Sequence, residues 1–133
     1  MENIPIIACP ILDNTFNFNE DIDFRIKYQV DNFIDITLYK SYVVYQLLIT
    51  KSNIPLSKLY KLIINGMNKE PDYQIDIKLD DDINFIHLDI RFNSDIIEQI
   101  TLIKQTASKT IELLVDKVKE LEKRIQYIDT NPQ

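Results

Sequence analysis

Residues 97–128 read IEQITLIKQTASKTIELLVDKVKELEKRIQYI, and apolar side chains recur through them at a seven-residue period. With Ile97 at heptad position a, the a series is Ile97, Lys104, Ile111, Val118 and Ile125, and the d series is Ile100, Ala107, Leu114, Leu121 and Ile128. Nine of the ten are apolar, which is the pattern of a coiled coil. The spacing predicts one helix over residues 94–129, capped by Asp95 with Glu98 three residues later, and a loose tail at 130–133.

Residue types within the heptads carry further information. β-Branched residues at a (Ile111, Val118, Ile125) with leucine at d (Leu114, Leu121) favour two parallel strands, while Ile100 and Ile128 at d pull towards higher oligomers. In a parallel pair, g of one helix faces e of the next heptad on the other. That sets Lys117 against Glu122 and Arg124 against Asp129, whereas an antiparallel pair would bring Lys117 and Arg124 together. The expectation is a parallel homodimer, with Ile97, Ile100, Ala107, Ile111, Leu114, Val118, Leu121, Ile125 and Ile128 as its seam. A helix from Asp95 to Ile128 would run about 50 Å, longer than the roughly 30 Å head that the preceding residues can build. Its far end should therefore overhang and need cover from another chain.

The 133 residues are 45% hydrophobic, and residues 1–93 suffice for one modest core. This head carries 14 acids against 9 bases. An acidic surface with scattered arginines disfavours nucleic acid and anionic membranes, because phosphate contacts need clustered Lys or Arg. No apolar run approaches 18 residues, and no leader pattern follows Met1, so neither a membrane span nor a secretory signal is expected. A single cysteine, Cys9, leaves no internal disulfide and points to a reducing, intracellular setting. Twenty-four isoleucines and eleven asparagines suggest an AT-rich genome. With Gly66 the lone glycine, phosphate-cradling loops and nucleophile elbows cannot be built.

Within the head, Ile4 to Leu12 reads as an edge strand interrupted by Pro10. Ile22 to Val30 alternates cleanly, with Ile22, Phe24, Ile26 and Tyr28 on one side and Asp23, Arg25 and Lys27 on the other. Phe33 to Lys40 and Tyr42 to Thr50 continue as strands, giving an antiparallel meander. After Pro55 the period changes, and Leu56 to Met67 reads as an amphipathic helix with Gly66 as a C-cap and Pro71 beyond it. Tyr73 to Leu79 and Ile83 to Phe92 form a second hairpin around Asp80, Asp81 and Asp82. The fold class is α+β: an antiparallel β head at 1–93, sandwich or partly open barrel, with one inserted helix, and then the stalk.

No catalytic, cofactor-binding or metal site is expected. His87 shares a strand side with Asp89 and Arg91, but it is the lone histidine and has no cysteine pair to complete a zinc site. Cys9 reads as a small buried thiol. The aspartate run lacks the glycine and terminal glutamate of a calcium loop. Tyr28, Tyr39, Tyr42 and Tyr45 read as half-buried sheet positions with some capacity for an interaction surface.

The order of a strand, a three-stranded meander (Phe24 to Val30, Phe33 to Lys40, Tyr42 to Thr50), an inserted helix (Leu56 to Met67), a hairpin (Tyr73 to Phe92) and a dimerising helix resembles a known superfamily. It is that of the head-and-stalk scaffolds of non-homologous DNA end joining and their relative, the centriolar cartwheel assembly protein. The resemblance is one of topology and lacks one feature, since those heads carry a seventh strand before the stalk that the pattern does not show. It implies a non-enzymatic homodimer without cofactors, a scaffold or adaptor whose paired heads contact each other or a further protein partner. A viral or parasite assembly protein without cellular counterpart, and a small enzyme using the His87 face, are the alternatives.

Overall fold

The structure is a computed structural model that describes residues 10–130, with side chains of the last helix described as far as Lys123. The element order is β1 (Leu12–Asn17), β2 (Ile22–Gln29), β3 (Phe33–Lys40), β4 (Val43–Ile49), α1 (Leu56–Met67), β5 (Tyr73–Leu79), β6 (Phe85–Phe92), β7 (Asp95–Lys104) and α2 (Ala107–Thr130). The strands form one seven-stranded antiparallel sheet in the order β1-β2-β3-β4-β7-β6-β5.

The meander, α1 and β5 fall where alternation and helical spacing place them. Phe24, Ile26 and Tyr28 of β2, Ile34, Ile36 and Leu38 of β3, and Ile86, Leu88 and Ile90 of β6 all point into one core, which Leu59, Leu62 and Ile63 of α1 cover. Period-two patterning sends every second residue to the same face, so the opposite residues form a separate outer face. The sheet curls around this core into a half-barrel. Phe16 and Phe18 beside one edge strand and Tyr73 and Ile75 on the other line a single cavity of about 250 Å³. Tyr28 stacks on Tyr60 of α1 with ring centroids 4.3 Å apart, and the Tyr60 hydroxyl accepts a 2.8 Å hydrogen bond from Asn14.

Three expectations are corrected. The helix does not begin at residue 94: Asp95–Lys104 is β7, the seventh strand, paired along β6 from Phe92↔Asp95 to Phe85↔Ile103. The residues are rich in β-branched side chains, and Ile100 and Leu102 alternate into the core at 4% and 0% exposure. Ile100 is therefore a core residue of the head, and Ile97 and Lys104 lie on the same strand, so none of the three belongs to a helical seam. The turn that makes this possible is Asn93-Ser94, both with positive φ (51° and 71°), the signature of a two-residue type I′ hairpin. Asp95 and Glu98 consequently cap nothing, and the helix instead starts after Thr106, whose Oγ1 accepts from the Lys109 backbone N–H at 3.3 Å.

Gly66 is not a C-cap. It lies inside α1, buried, with the helix capped at Asn68. A Cβ there would sit 2.7 Å from Cγ1 of Ile75, so the missing side chain lets α1 close onto β5. Among the described residues the first strand runs Leu12–Asn17. Residues 4–9 of the expected run, with Cys9, lie outside the described residues.

Candidate interaction surface

α2 crosses the outer face of the sheet over one row of residues. Val44 of β4 is paired opposite Tyr39 of β3, Tyr39 opposite Asp23 of β2, and Asp23 opposite Asn17 of β1. Directly opposed residues share a face. Val44 and Tyr39 would face water on a bare sheet, yet their exposures are 0% and 4%. The cover comes from α2, which packs against β4. Just before the helix, the Gln105 backbone N–H donates to the Val44 carbonyl at 2.8 Å. Further along, Lys117 Nζ donates to Asp23 Oδ2 at 2.8 Å and sits 4.5 Å from the centroid of the Tyr39 ring. Asn17 Nδ2 donates to the other Asp23 oxygen, also at 2.8 Å. Partial burial works against the Asp23 carboxylate, but the bonds from Lys117 and Asn17 outweigh it and hold its pKa below the usual carboxylate value.

The half-buried positions of α2 are Lys109, Thr110, Leu113, Leu114, Lys117 and Glu120, which fall on one helical face. That face is turned to the head and is largely polar. Ile111, Val115 and Val118 lie about a third of a turn or more away, and Leu121 lies at the edge of the head-facing side. Ile111, Val115, Val118 and Leu121 are 63%, 45%, 52% and 45% exposed. A helix that used its own head to hide its apolar stripe would show the reverse arrangement.

The seam residues expected from the sequence thus divide. Ala107, Ile111, Leu114, Val118 and Leu121 lie together on α2, of which all but the half-buried Leu114 are exposed, and Val115 joins them at position e. Ile97 and Ile100 are in β7. Ile125, Ile128, Arg124 and Asp129 have side chains outside the described residues. Glu122 is exposed, whereas Lys117, expected to face Glu122 of a second helix, is engaged with its own head.

α2 also reaches less far than expected. Its 24 residues span about 36 Å, and Leu121 still lines a cavity with Thr15, Phe16 and Asn17 of β1. Only the nine residues after it, about 13 Å, lie beyond that point.

Elsewhere, two arrangements have chemical content. On the outer face of β5–β7, His87 Nε2 lies 2.6 Å from Asp80 Oδ2 and Nδ1 lies 2.9 Å from Thr101 Oγ1. Beside it Asp89, 0% exposed, is bound by Lys78 at 2.6 Å and Gln99 at 3.0 Å. The Lys78 bond, against the cost of desolvation and helped by Gln99, holds the Asp89 pKa low. These are cross-strand contacts on a sheet face; the neighbouring cavity is lined by Thr101 but not by His87. That cavity, about 560 Å³, opens because β4 and β7 pair only at Tyr45↔Lys104 and Gln46↔Ile103 and then diverge. The Asp80–Asp82 run is a turn held by its own backbone, with the Asp82 and Asn84 N–H groups donating to Asp80 and Asp82. No helix among the described residues is long and apolar enough to cross a membrane.

The described residues thus form a curled antiparallel sheet with one inserted helix and a C-terminal helix. Among solved structures the chain is similar to an N-terminal fragment of Leishmania SAS-6, the centriolar cartwheel protein, that contains parts of its coiled-coil domain and carries a point mutation. The TM-score is 0.63 over 90% of this chain and 86% of that one, at 8% sequence identity, so the likeness is one of fold. No protein-family model matches the sequence, and no curated protein matches it significantly.

Proposed function

We propose that this protein is a non-enzymatic structural scaffold that pairs with a second copy of itself along α2, in parallel, and so presents two head domains for protein assembly. The observation that carries this reading is the orientation of α2. The helix meets its own head through Lys117 and its neighbours and leaves Ile111, Val115, Val118 and the outer side of Leu121 exposed, at the spacing a second helix would fill. Fully burying such a side chain is worth about 1.5–3 kcal/mol. At half exposure each gains about 1 kcal/mol, or about 8 kcal/mol for the eight side chains of two copies. Association costs about 4–15 kcal/mol. The described stripe is therefore marginal alone, and Ile125 and Ile128 supply the additional heptad that makes the pair stable.

With Lys117 held by its own head, orientation rests on Arg124 against Asp129. The fold shared with SAS-6, whose fragment retains part of a coiled coil, supports the scaffold reading, and both ring nitrogens of His87 are engaged by Asp80 and Thr101 of its own sheet. The test is sedimentation of an Ile111→Asp/Val118→Asp variant. Both residues are exposed in the single chain, so the head should stay folded while the species falls to monomer mass. A variant that remains dimeric would remove α2 as the seam.

A further inference from the structure

We infer that Lys117 is a positioning residue that fixes the angle between the head and the stalk, through a clamp closed on Asp23 and the Tyr39 ring. The proposal takes its significance from the scaffold reading above, but the angle exists within a single chain and can be measured there.

Two polar ties join α2 to the sheet along its half-buried face. The first is at its start, where the Gln105 N–H bonds the Val44 carbonyl at 2.8 Å and Thr110 Oγ1 reaches back to the Gln105 carbonyl at 3.4 Å. The second is the Lys117 ammonium, 2.8 Å from Asp23 and 4.5 Å from the Tyr39 centroid. The two are twelve residues apart, about 18 Å along the helix. One anchor leaves a rod free to swing, and two set a line.

Beside the clamp, α2 and the sheet form a half-open groove of about 310 Å³, lined by Phe16, Phe24, Lys117, Glu120 and Leu121. A solvent-open groove of this size gives the helix room to settle onto, or lift from, β1 and β2 once the clamp opens. The chemistry of the clamp suits the task. An ammonium over an aromatic face and against a carboxylate is directional, and Asn17 holds that carboxylate from the other side. Tyr39 is packed at 4% exposure and cannot follow the lysine if it moves. For a protein that presents two heads, this angle decides how far apart and in which directions they point.

The test uses distances between spin labels at Lys51→Cys on the head and Lys123→Cys on α2, in a Cys9→Ser background. Labelled chains are diluted into unlabelled ones so that only intramolecular distances are read. With Lys117 present, and with Lys117→Arg, one narrow distance is expected. With Lys117→Gln the distribution should broaden at least twofold or shift by several ångströms, while circular dichroism and the sedimenting mass stay unchanged. As a second measurement free of substitution at Lys117, 1 M salt should broaden the same distribution in the parent. A distribution unchanged by both Lys117→Gln and salt overturns the clamp. A parent chain that sediments as a monomer, with an angle that still depends on Lys117, would instead count against the scaffold reading and leave the clamp standing.

Discussion

Replacing Gly66 by alanine tests how tightly α1 is set on the sheet, and the structure supplies both signs of the effect. In an exposed helix interior the change would stabilise by about 1 kcal/mol, because glycine has more backbone freedom to lose. Here the new Cβ would stand 2.7 Å from Cγ1 and 3.0 Å from Cδ1 of Ile75, and 3.5 Å from the Gln74 backbone. Ile75 is 6% exposed and β-branched, so even beside the cavity of about 250 Å³ it makes room only by leaving its preferred rotamer. Overpacking of this kind costs about 1–3 kcal/mol. The expected net effect is destabilisation by about 1 kcal/mol, a fall in melting temperature of about 5 °C, read as a lower urea midpoint at unchanged slope. In an Ile75→Ala background both clashing atoms are gone, and the same Gly66→Ala change should become stabilising by about 1 kcal/mol. A Gly66→Ala protein more stable than the parent would refute the close approach of α1 to β5.

Acid should act late. Asp23, Asp80 and Asp89 all have pKa values lowered in the folded state, Asp80 chiefly by its His87 contact. Their contribution is complete above the unfolded value near 4 and is lost as pH falls through the lower folded values. Urea midpoints should therefore match at pH 7 and pH 5 and fall at pH 3, and a drop already present at pH 5 would assign acid sensitivity to other groups. Ser94→Gly should stabilise by about 1 kcal/mol, since a left-handed backbone at φ 71° is strained for serine and free for glycine. Chemical denaturation reads this directly, and an unchanged midpoint would mean that the β6–β7 turn carries no strain.

The strands and α1 were legible because each obeys one period over its whole length: Ile22 to Tyr28 alternates, and Leu56 to Met67 repeats at three and four. Residues 95–104 obey two. Ile96, Ile97, Ile100 and Ile103 fit a helical stripe, while Ile100 and Leu102 alternate into the core, and the heptads that follow from Ala107 extended the wrong pattern backwards. The residue types could have separated the two, since isoleucine and threonine fill half of this stretch and favour strands. So could Asn93-Ser94, a hairpin turn without the glycine that usually marks it. The part of the stripe on α2 survives because it begins after Thr106, a cap that the assumed Asp95 start obscured. What no linear pattern could give was the division of labour on α2. Lys117 reads as an interhelical charge by spacing, and only the fold brings Asp23 and Tyr39, distant in sequence, beneath it. Tyr39 and Val44 likewise read as ordinary outer-face positions until α2 covers them.

The central claim is that a second copy lies along the exposed stripe of α2, in parallel. Oxidising a Val118→Cys protein in a Cys9→Ser background tests it most directly, because position a of one helix faces position a of its partner only in a parallel pair, within reach of a disulfide. The account predicts a covalent dimer in high yield from Val118→Cys and almost none from Lys123→Cys, which points away from the seam. Monomer from both, or equal cross-linking at both, would contradict it.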